Sequence, residues 1–491
     1  MTSPFSHKAG ILLPISALPS RYGIGSLGDG AYRFIDFLSG CKQSAWQVLP
    51  IHPTAYGDSP YQSPSAMAAN PYFIDLDILK REGLLTSEEV KGHRDCGTRI
   101  DYGTLFERRY PLLRLAHRRF VPKQKYRDFV NKSSHWLLPY ARFMALKVRY
   151  DFAPFPQWPR EAREVSQNHL CEAHPEEEMS FWCFLQYCFH EQWSALRRYA
   201  KEKGISLIGD MPIYVAHDSV EVYSEGENFL LDEDGNPEVV AGCPPDAFSP
   251  TGQLWGNPIY DWEKMQRENF SWWIKRFSRA FSLYDTVRID HFRGFAGYYA
   301  IPYGEKDARC GAWRSAPGKA LFAQVLRQFP KAKIIAEDLG HITEDVRELL
   351  AFTRFAGMKV LQFAFDKEDS EYLPRNFESD NYVVYTGTHD SPCTASWLRS
   401  LTQEQRARLA RECPHTRGQS RLFDFISLAL ESRASLAIVP MQDYLGLPDE
   451  EGRMNTPSRA EGNWTYRLSP RYATSALRER ILTLTEKAGR G

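Results

Sequence analysis

Eight short apolar runs, centred near residues 11, 46, 207, 288, 335, 361, 384 and 438, constrain this chain more than anything else in it. They include Ile205-Ser206-Leu207-Ile208, Ile334-Ile335-Ala336, Lys359-Val360-Leu361-Gln362-Phe363, Tyr382-Val383-Val384-Tyr385 and Leu436-Ala437-Ile438-Val439. Helix-period segments separate the runs, and strands alternating with helices give a parallel α/β sheet. Eight such strands predict a closed (β/α)8 TIM barrel. A length of 491 residues with 43% hydrophobic content leaves room for insertions beyond the barrel.

The rhythm breaks in two places, which sets the expected organisation. Residues 1–75 carry strands 1 and 2 and a long loop, Ile51 to Asn70. Residues 76–203 read as a mainly helical insertion, with apolar faces such as Phe181, Leu185 and Phe189 beside charged runs. Residues 204–491 hold the remaining six strands, with an inserted loop at 219–257. Both long loops belong on the catalytic face, because long connections that keep aromatic and hydrogen-bonding side chains lean towards function. The glycines of Tyr22 to Gly30 lack the GxGxxG spacing and no Walker lysine follows, so they read as a tight turn before a helix.

Charge excludes some partners. Lys plus Arg equal Asp plus Glu at 61 each, which favours neither nucleic acid nor a membrane surface. No run reaches the roughly 20 apolar residues of a membrane span, and Pro14 and Pro19 interrupt the only apolar stretch near the start. The nine cysteines form no CxxC pair, which points to a reducing, cytoplasmic setting. His169 and His174 lack metal-ligand spacing, and neither a metal nor an organic cofactor is expected.

The chemistry lies at the strand ends. In Val287-Arg288-Ile289-Asp290-His291-Phe292-Arg293-Gly294, a short strand finishes in a carboxylate flanked by Arg288, His291 and Arg293. Such neighbours favour the ionised form, which suits a nucleophile. Glu337 follows the apolar Ile334-Ile335-Ala336 and is the candidate for a raised pKa and acid/base duty, with Asp390 as helper. Asp210 and Asp443 also end strands. The barrel would gather these acids at the C-terminal mouth, whereas an isolated Arg–Asp pair on one strand would be a buried salt bridge. A carboxylate pair in a cleft is the equipment of glycoside chemistry, and a retaining mechanism expects the two carboxyls about 5–5.5 Å apart.

The chain resembles the amylomaltases, or disproportionating 4-α-glucanotransferases, which are related to the α-amylase clan. The resemblance rests on Leu18-Pro19-Ser20-Arg21-Tyr22-Gly23-Ile24-Gly25, Gly57-Asp58-Ser59-Pro60-Tyr61-Gln62-Ser63, Gly209-Asp210-Met211-Pro212-Ile213, Gly252-Gln253-Leu254-Trp255-Gly256-Asn257-Pro258, Arg288 to Gly294, Ala336 to Gly340 and Gly387-Thr388-His389-Asp390. It implies Asp290 as nucleophile, Glu337 as acid/base and Asp390 as transition-state stabiliser. It also implies Arg288 and His389 in the donor subsite, Tyr61 stacked on a sugar, and Asp246, Gln253 and Trp255 in a loop over the acceptor. Tyr56, Asp58, Ser59, Asp210, His291 and Asn463 complete the expected substrate contacts. The partners implied are a maltodextrin or other α-1,4-glucan donor and a sugar acceptor. The chain departs from the family pattern at Ser391-Pro392-Cys393 and at Ser458. The competing readings are an α-1,4-glucan hydrolase with the same acids and a non-catalytic glucan-binding protein.

Overall fold

The structure, a computed structural model, describes residues 5–163, 176–245, 249–340, 342–457, 459 and 461–491. Twelve strands run through the described residues: β1 (Lys8–Leu12), β2 (Ala45–Gln47), β3 (Ser206–Pro212), β4 (Val239–Cys243), β5 (Gln253–Pro258), β6 (Thr286–Asp290), β7 (Gly297–Pro302), β8 (Ala312–Ser315), β9 (Ile334–Ala336), β10 (Ala356–Val360), β11 (Tyr382–Tyr385) and β12 (Leu436–Pro440). Eight of them close a parallel barrel in the order β1-β2-β3-β6-β9-β10-β11-β12, and β12 pairs back onto β1 from Lys8↔Leu436 to Leu12↔Pro440. The fold is a (β/α)8 barrel, as the rhythm of apolar runs predicts.

Inside the barrel, Leu12, Ile208, Ile335, Met358, Val383 and Ile438 meet in one buried cluster. Burial of each large apolar side chain stabilises by about 1.5–3 kcal/mol. Glycine permits close approach at the barrel's entry turn. A Cβ on Gly25 would lie 1.8 Å from the Ile15 carbonyl oxygen, and one on Gly30 would lie 2.1 Å from that of Pro19. The glycines at 22–30 therefore build a tight turn ahead of the helix Asp29–Gly40.

Two expectations need correction. The sixth barrel strand is Ala356–Val360, and the run Leu361–Phe365 is a 3-10 turn. Gly357 hides the strand's start from an apolar pattern. It must be glycine because a Cβ there would come within 2.8 Å of the Asp338 carboxylate. The segment 219–257 is also more than a loop. It contains the helix Val220–Ser224 and the strands β4 and β5, which join β7 and β8 in an antiparallel sheet ordered β5-β4-β7-β8. β4 finds its outer partner far along the chain, from Val239↔Pro302 to Gly242↔Tyr299, beyond the reach of local pattern, and Gly and Pro punctuation masks the segment's own strands.

Between β2 and β3 the chain is helical, with long helices at Tyr102–Arg119, Gln124–Arg149 and Glu176–Glu202. The last of these returns to the barrel, where the Trp193 indole N–H donates to the Leu283 carbonyl at 3.0 Å. His169 and His174 lie outside the described residues. At the opposite end of the chain, the buried Arg490 guanidinium donates to the carbonyls of Lys8, Leu430, Ser432 and Ala434, locking the seam between β1 and β12.

Candidate active site

Asp290 is the last residue of β6, so the barrel delivers its carboxylate to the C-terminal mouth. Arg288, two residues earlier on the same strand, meets it with Nη1 2.9 Å from Oδ1. The same nitrogen donates to both oxygens of Asp210 on β3, at 2.8 and 2.7 Å. Burial alone would lower the Arg288 pKa, but Asp210 and Asp290 together hold it well above the usual arginine value. A thioether packs alongside, with Met358 Sδ 3.4 Å from Arg288 Nε. Tyr61 completes the group by donating its hydroxyl to Asp210 Oδ2 at 2.9 Å.

The other cations flanking Asp290 have different surroundings from those expected. His291 follows the strand in a left-handed conformation with φ of 52°, a strained geometry of the kind functional turns retain. Burial and the neighbouring Arg293 push its pKa down to about 3, so its ring is neutral. Its backbone N–H is spent on Glu337, as described below. Arg293 stacks its guanidinium 3.7 Å over the Trp313 ring. The ion pair to Asp290 comes from Arg288.

Glu337 stands immediately after β9, next to β6 in the barrel. Its Oε2 accepts the His291 N–H at 2.7 Å and its Oε1 the Leu339 N–H at 3.1 Å. Burial raises its pKa to about 8; Arg288 opposes this, and the charge of Asp290 adds to it. A carboxyl held protonated at neutral pH, within electrostatic reach of an ion-paired carboxylate, has the properties of a general acid.

Asp390 follows β11 by five residues. Its Oδ2 lies 3.3 Å from His389 Nε2, and its Oδ1 accepts the Asn455 amide at 2.6 Å. Desolvation by the surrounding cleft opposes its charge although the side chain reaches solvent, yet His389 and Asn455 bring the pKa down to about 2. His389 is buried, which alone would lower its pKa, but Asp390 raises it. The imidazole packs flat on Tyr61, with centroids 5.2 Å apart and planes at 16°, and Trp464 leans against both rings. Asp390 thus sits ionised at the rim of an aromatic wall.

Other expected contacts fall in several places. Trp255 on β5 packs edge-on to His291, with centroids 4.8 Å apart, and its indole N–H donates to Gln253 Oε1 at 3.1 Å. Ser59 Oγ accepts the Tyr61 N–H at 3.2 Å, which fixes the turn that presents the tyrosine. Asp58, at φ of 58°, sits towards Asp101 and Tyr102 of the helical region, where burial raises its pKa. The Asn463 amide closes its own loop through Thr456 and Arg459. Asp246, the Tyr56 side chain and Ser458 lie outside what the structure describes. Asp443 does not end a strand as expected: β12 stops at Pro440 and Asp443 lies in the short helix Met441–Leu445, where it accepts from Thr386 and Thr394 as a buried brace.

Three residues of the site carried little signal in sequence. Asn455 and Met358 fall in no periodic or motif pattern, and only the fold brings them to Asp390 and Arg288. Trp464 was findable as an aromatic beside Asn463 in a Gly-containing turn. The divergent Ser391-Pro392-Cys393 exit is tied down locally: Ser391 Oγ accepts the Thr388 N–H at 2.9 Å, and Asp449 Oδ1 accepts the Cys393 N–H at 2.7 Å.

Glu337 with its raised pKa and Asp290 paired to Arg288, set in a barrel mouth walled by Tyr61, Trp464 and Trp255, are suited to glycosidic-bond chemistry, and fold and site together define a carbohydrate-active barrel enzyme. A family model described as 4-alpha-glucanotransferase matches residues 13–474. The chain belongs to that family. A 4-alpha-glucanotransferase of Streptococcus pneumoniae is 42% identical over 489 residues, spanning 98% of this chain and 96% of its own. One from Thermus thermophilus is 44% identical over 476 residues, 94% of each chain. Among solved structures, an amylomaltase from Streptococcus agalactiae in complex with acarbose superposes with a TM-score of 0.95 at 37% identity, covering 99% of this chain and 100% of its own.

Proposed function

We propose that the protein moves α-1,4-glucan segments between maltodextrins, or onto glucose, by a retaining double displacement. Asp290 attacks the anomeric carbon through Oδ2, since Oδ1 is held by Arg288. The glycosidic C–O bond breaks as Glu337 passes its proton to the departing 4-oxygen, leaving a glucosyl ester on Asp290. Glu337, now ionised, takes the proton of an incoming 4-hydroxyl, whose oxygen displaces Asp290 and restores an α-bond. Asp390 stabilises the positive charge that develops on the sugar in both steps.

The observation that carries this reading is the contrast between Glu337, with its pKa raised to about 8, and Asp290, paired to Arg288. One is set to donate a proton and the other to attack. Trp255 and Gln253 on the arm beside His291 supply a cover that lets an acceptor sugar compete with water. A cytoplasmic location is part of the proposal, supported by nine scattered cysteines that form no CxxC pair. Incubation with maltotriose tests the function: a ladder of longer oligomers plus glucose is expected. A rise in reducing ends with no product longer than the substrate would make the enzyme a hydrolase, and a Glu337→Gln variant with unchanged turnover would remove the role given to Glu337.

A further inference from the structure

Two segments border the cleft beside Tyr61: the loop 51–70 and the arm that begins at Ser219 and leads through β4 to Gln253 and Trp255. They are clasped at two points. At the outer point, Gln62 Nε2 reaches the Trp255 carbonyl and Asn257 Oδ1, each at 3.4 Å. At the inner point the contacts are shorter and centre on Glu221, in the helix Val220–Ser224.

Glu221 is 4% exposed. Its Oε1 accepts the Ser65 hydroxyl at 3.0 Å and the Ala66 N–H at 2.8 Å, and the Val220 N–H donates to the Pro64 carbonyl at 2.9 Å. Ser65 passes the constraint on, since its Oγ accepts the N–H groups of Met67 and Ala68, each at 3.1 Å. The turn after Tyr61 is therefore tied by two hydroxyls, Ser63, which bonds the Ser65 backbone, and Ser65, which Glu221 orients. The other carboxyl oxygen, Oε2, is buried without a hydrogen-bond partner among the described residues. An orphaned buried oxygen costs free energy, so an acid kept at this position must secure something the apolar alternative would lose.

Tyr61 directly precedes Gln62 of the outer clasp and stands four residues before Ser65 of the inner one, with its hydroxyl on Asp210 and its ring on His389. We propose that Glu221 is a positioning residue that holds the Tyr61 loop against the arm bearing Gln253 and Trp255, setting the affinity for the α-glucan chain rather than the rate of bond exchange. The inference rests on the glucanotransferase reading of the site. Glu221 clasps the two loops to each other and leaves the strand ends bearing Asp290 and Glu337 to the barrel, so its loss is felt in sugar binding.

The test is maltotriose disproportionation by full-length variants. Glu221→Ala is expected to raise KM on the order of tenfold, the loss of roughly one strong hydrogen bond, with kcat within about twofold of wild type. Glu221→Gln, which keeps an acceptor oxygen for Ser65 and Ala66, is expected to restore KM. Ser65→Ala, which removes one donor, is expected to raise KM about threefold. In a Tyr61→Ala background, both changes are expected to lose most of their effect, a non-additivity that a general loss of stability would not produce. The proposal is overturned by a fall in kcat at unchanged KM, by wild-type KM in Ser65→Ala, or by full additivity with Tyr61→Ala. Should Glu221→Ala not fold, Ser65→Ala alone and with Tyr61→Ala decides the matter. Failure of the underlying reading shows separately, as a wild-type enzyme that makes no ladder.

Discussion

Arg288 Nη1 lies 2.7 Å from Oδ2 of Asp210, a carboxylate with no solvent exposure. In the sequence Arg288 reads as a neighbour that keeps Asp290 ionised. The structure adds a second charge, wholly buried, that depends on the same nitrogen. Breaking a buried pair leaves an uncompensated charge, and Arg288→Ala is expected to destabilise by about 3–5 kcal/mol in addition to disabling the site. Replacing both partners, Asp210→Ala with Arg288→Ala, is expected to cost less than the sum of the single changes. Chemical denaturation of the three variants measures both. Full additivity would mean that the two residues act independently.

Glu337 links activity and stability to pH in one direction. Its folded pKa of about 8 lies above the ordinary value of 4.5. Between those two values the folded protein holds a proton that the unfolded chain has released, so this group's contribution to stability falls as pH rises through the window. Glu337→Gln has no such proton, and its stability is expected to decline less from pH 5 to pH 8 than that of wild type. The acid form also limits catalysis, so kcat/KM for maltotriose is expected to show an alkaline limb near pH 8. A rate profile that stays flat from pH 7 to 9 would show that some other group donates the proton.

The barrel and the position of the candidate acids at its mouth were legible in sequence because both depend on short-range pattern. An apolar strand ending in Asp290 or preceding Glu337 is complete within a few residues, and barrel topology then fixes which way those ends face. The antiparallel sheet was not legible, since β4 meets β7 only after the chain has passed through β6, and Gly and Pro obscure its nearer pairing with β5. The state of His291 was also hidden: its left-handed turn goes with a backbone bond to Glu337, and its neutral ring arises from burial and the nearby Arg293. Glu221 shows the same limit, because an acid in a short helix looks exposed until the opposite loop closes over it.

Arg490 offers a contrast in which stability and activity should separate. Its guanidinium is fully buried and donates to four carbonyls, from Lys8 at the start of β1 to Ala434 just before β12. These are the N-terminal ends of the closing strand pair, on the face of the barrel away from Asp290 and Glu337. Arg490→Ala would leave several carbonyls without a donor, and a loss of about 3–5 kcal/mol is expected. Arg490→Lys keeps the charge but not the planar fork, and is expected to recover only part of that loss. In both variants kcat on maltotriose at 25 °C should match wild type while the denaturation midpoint falls. A fall in kcat with an unchanged midpoint would mean that the seam between β1 and β12 reaches the catalytic mouth, and that the two ends of this barrel are coupled.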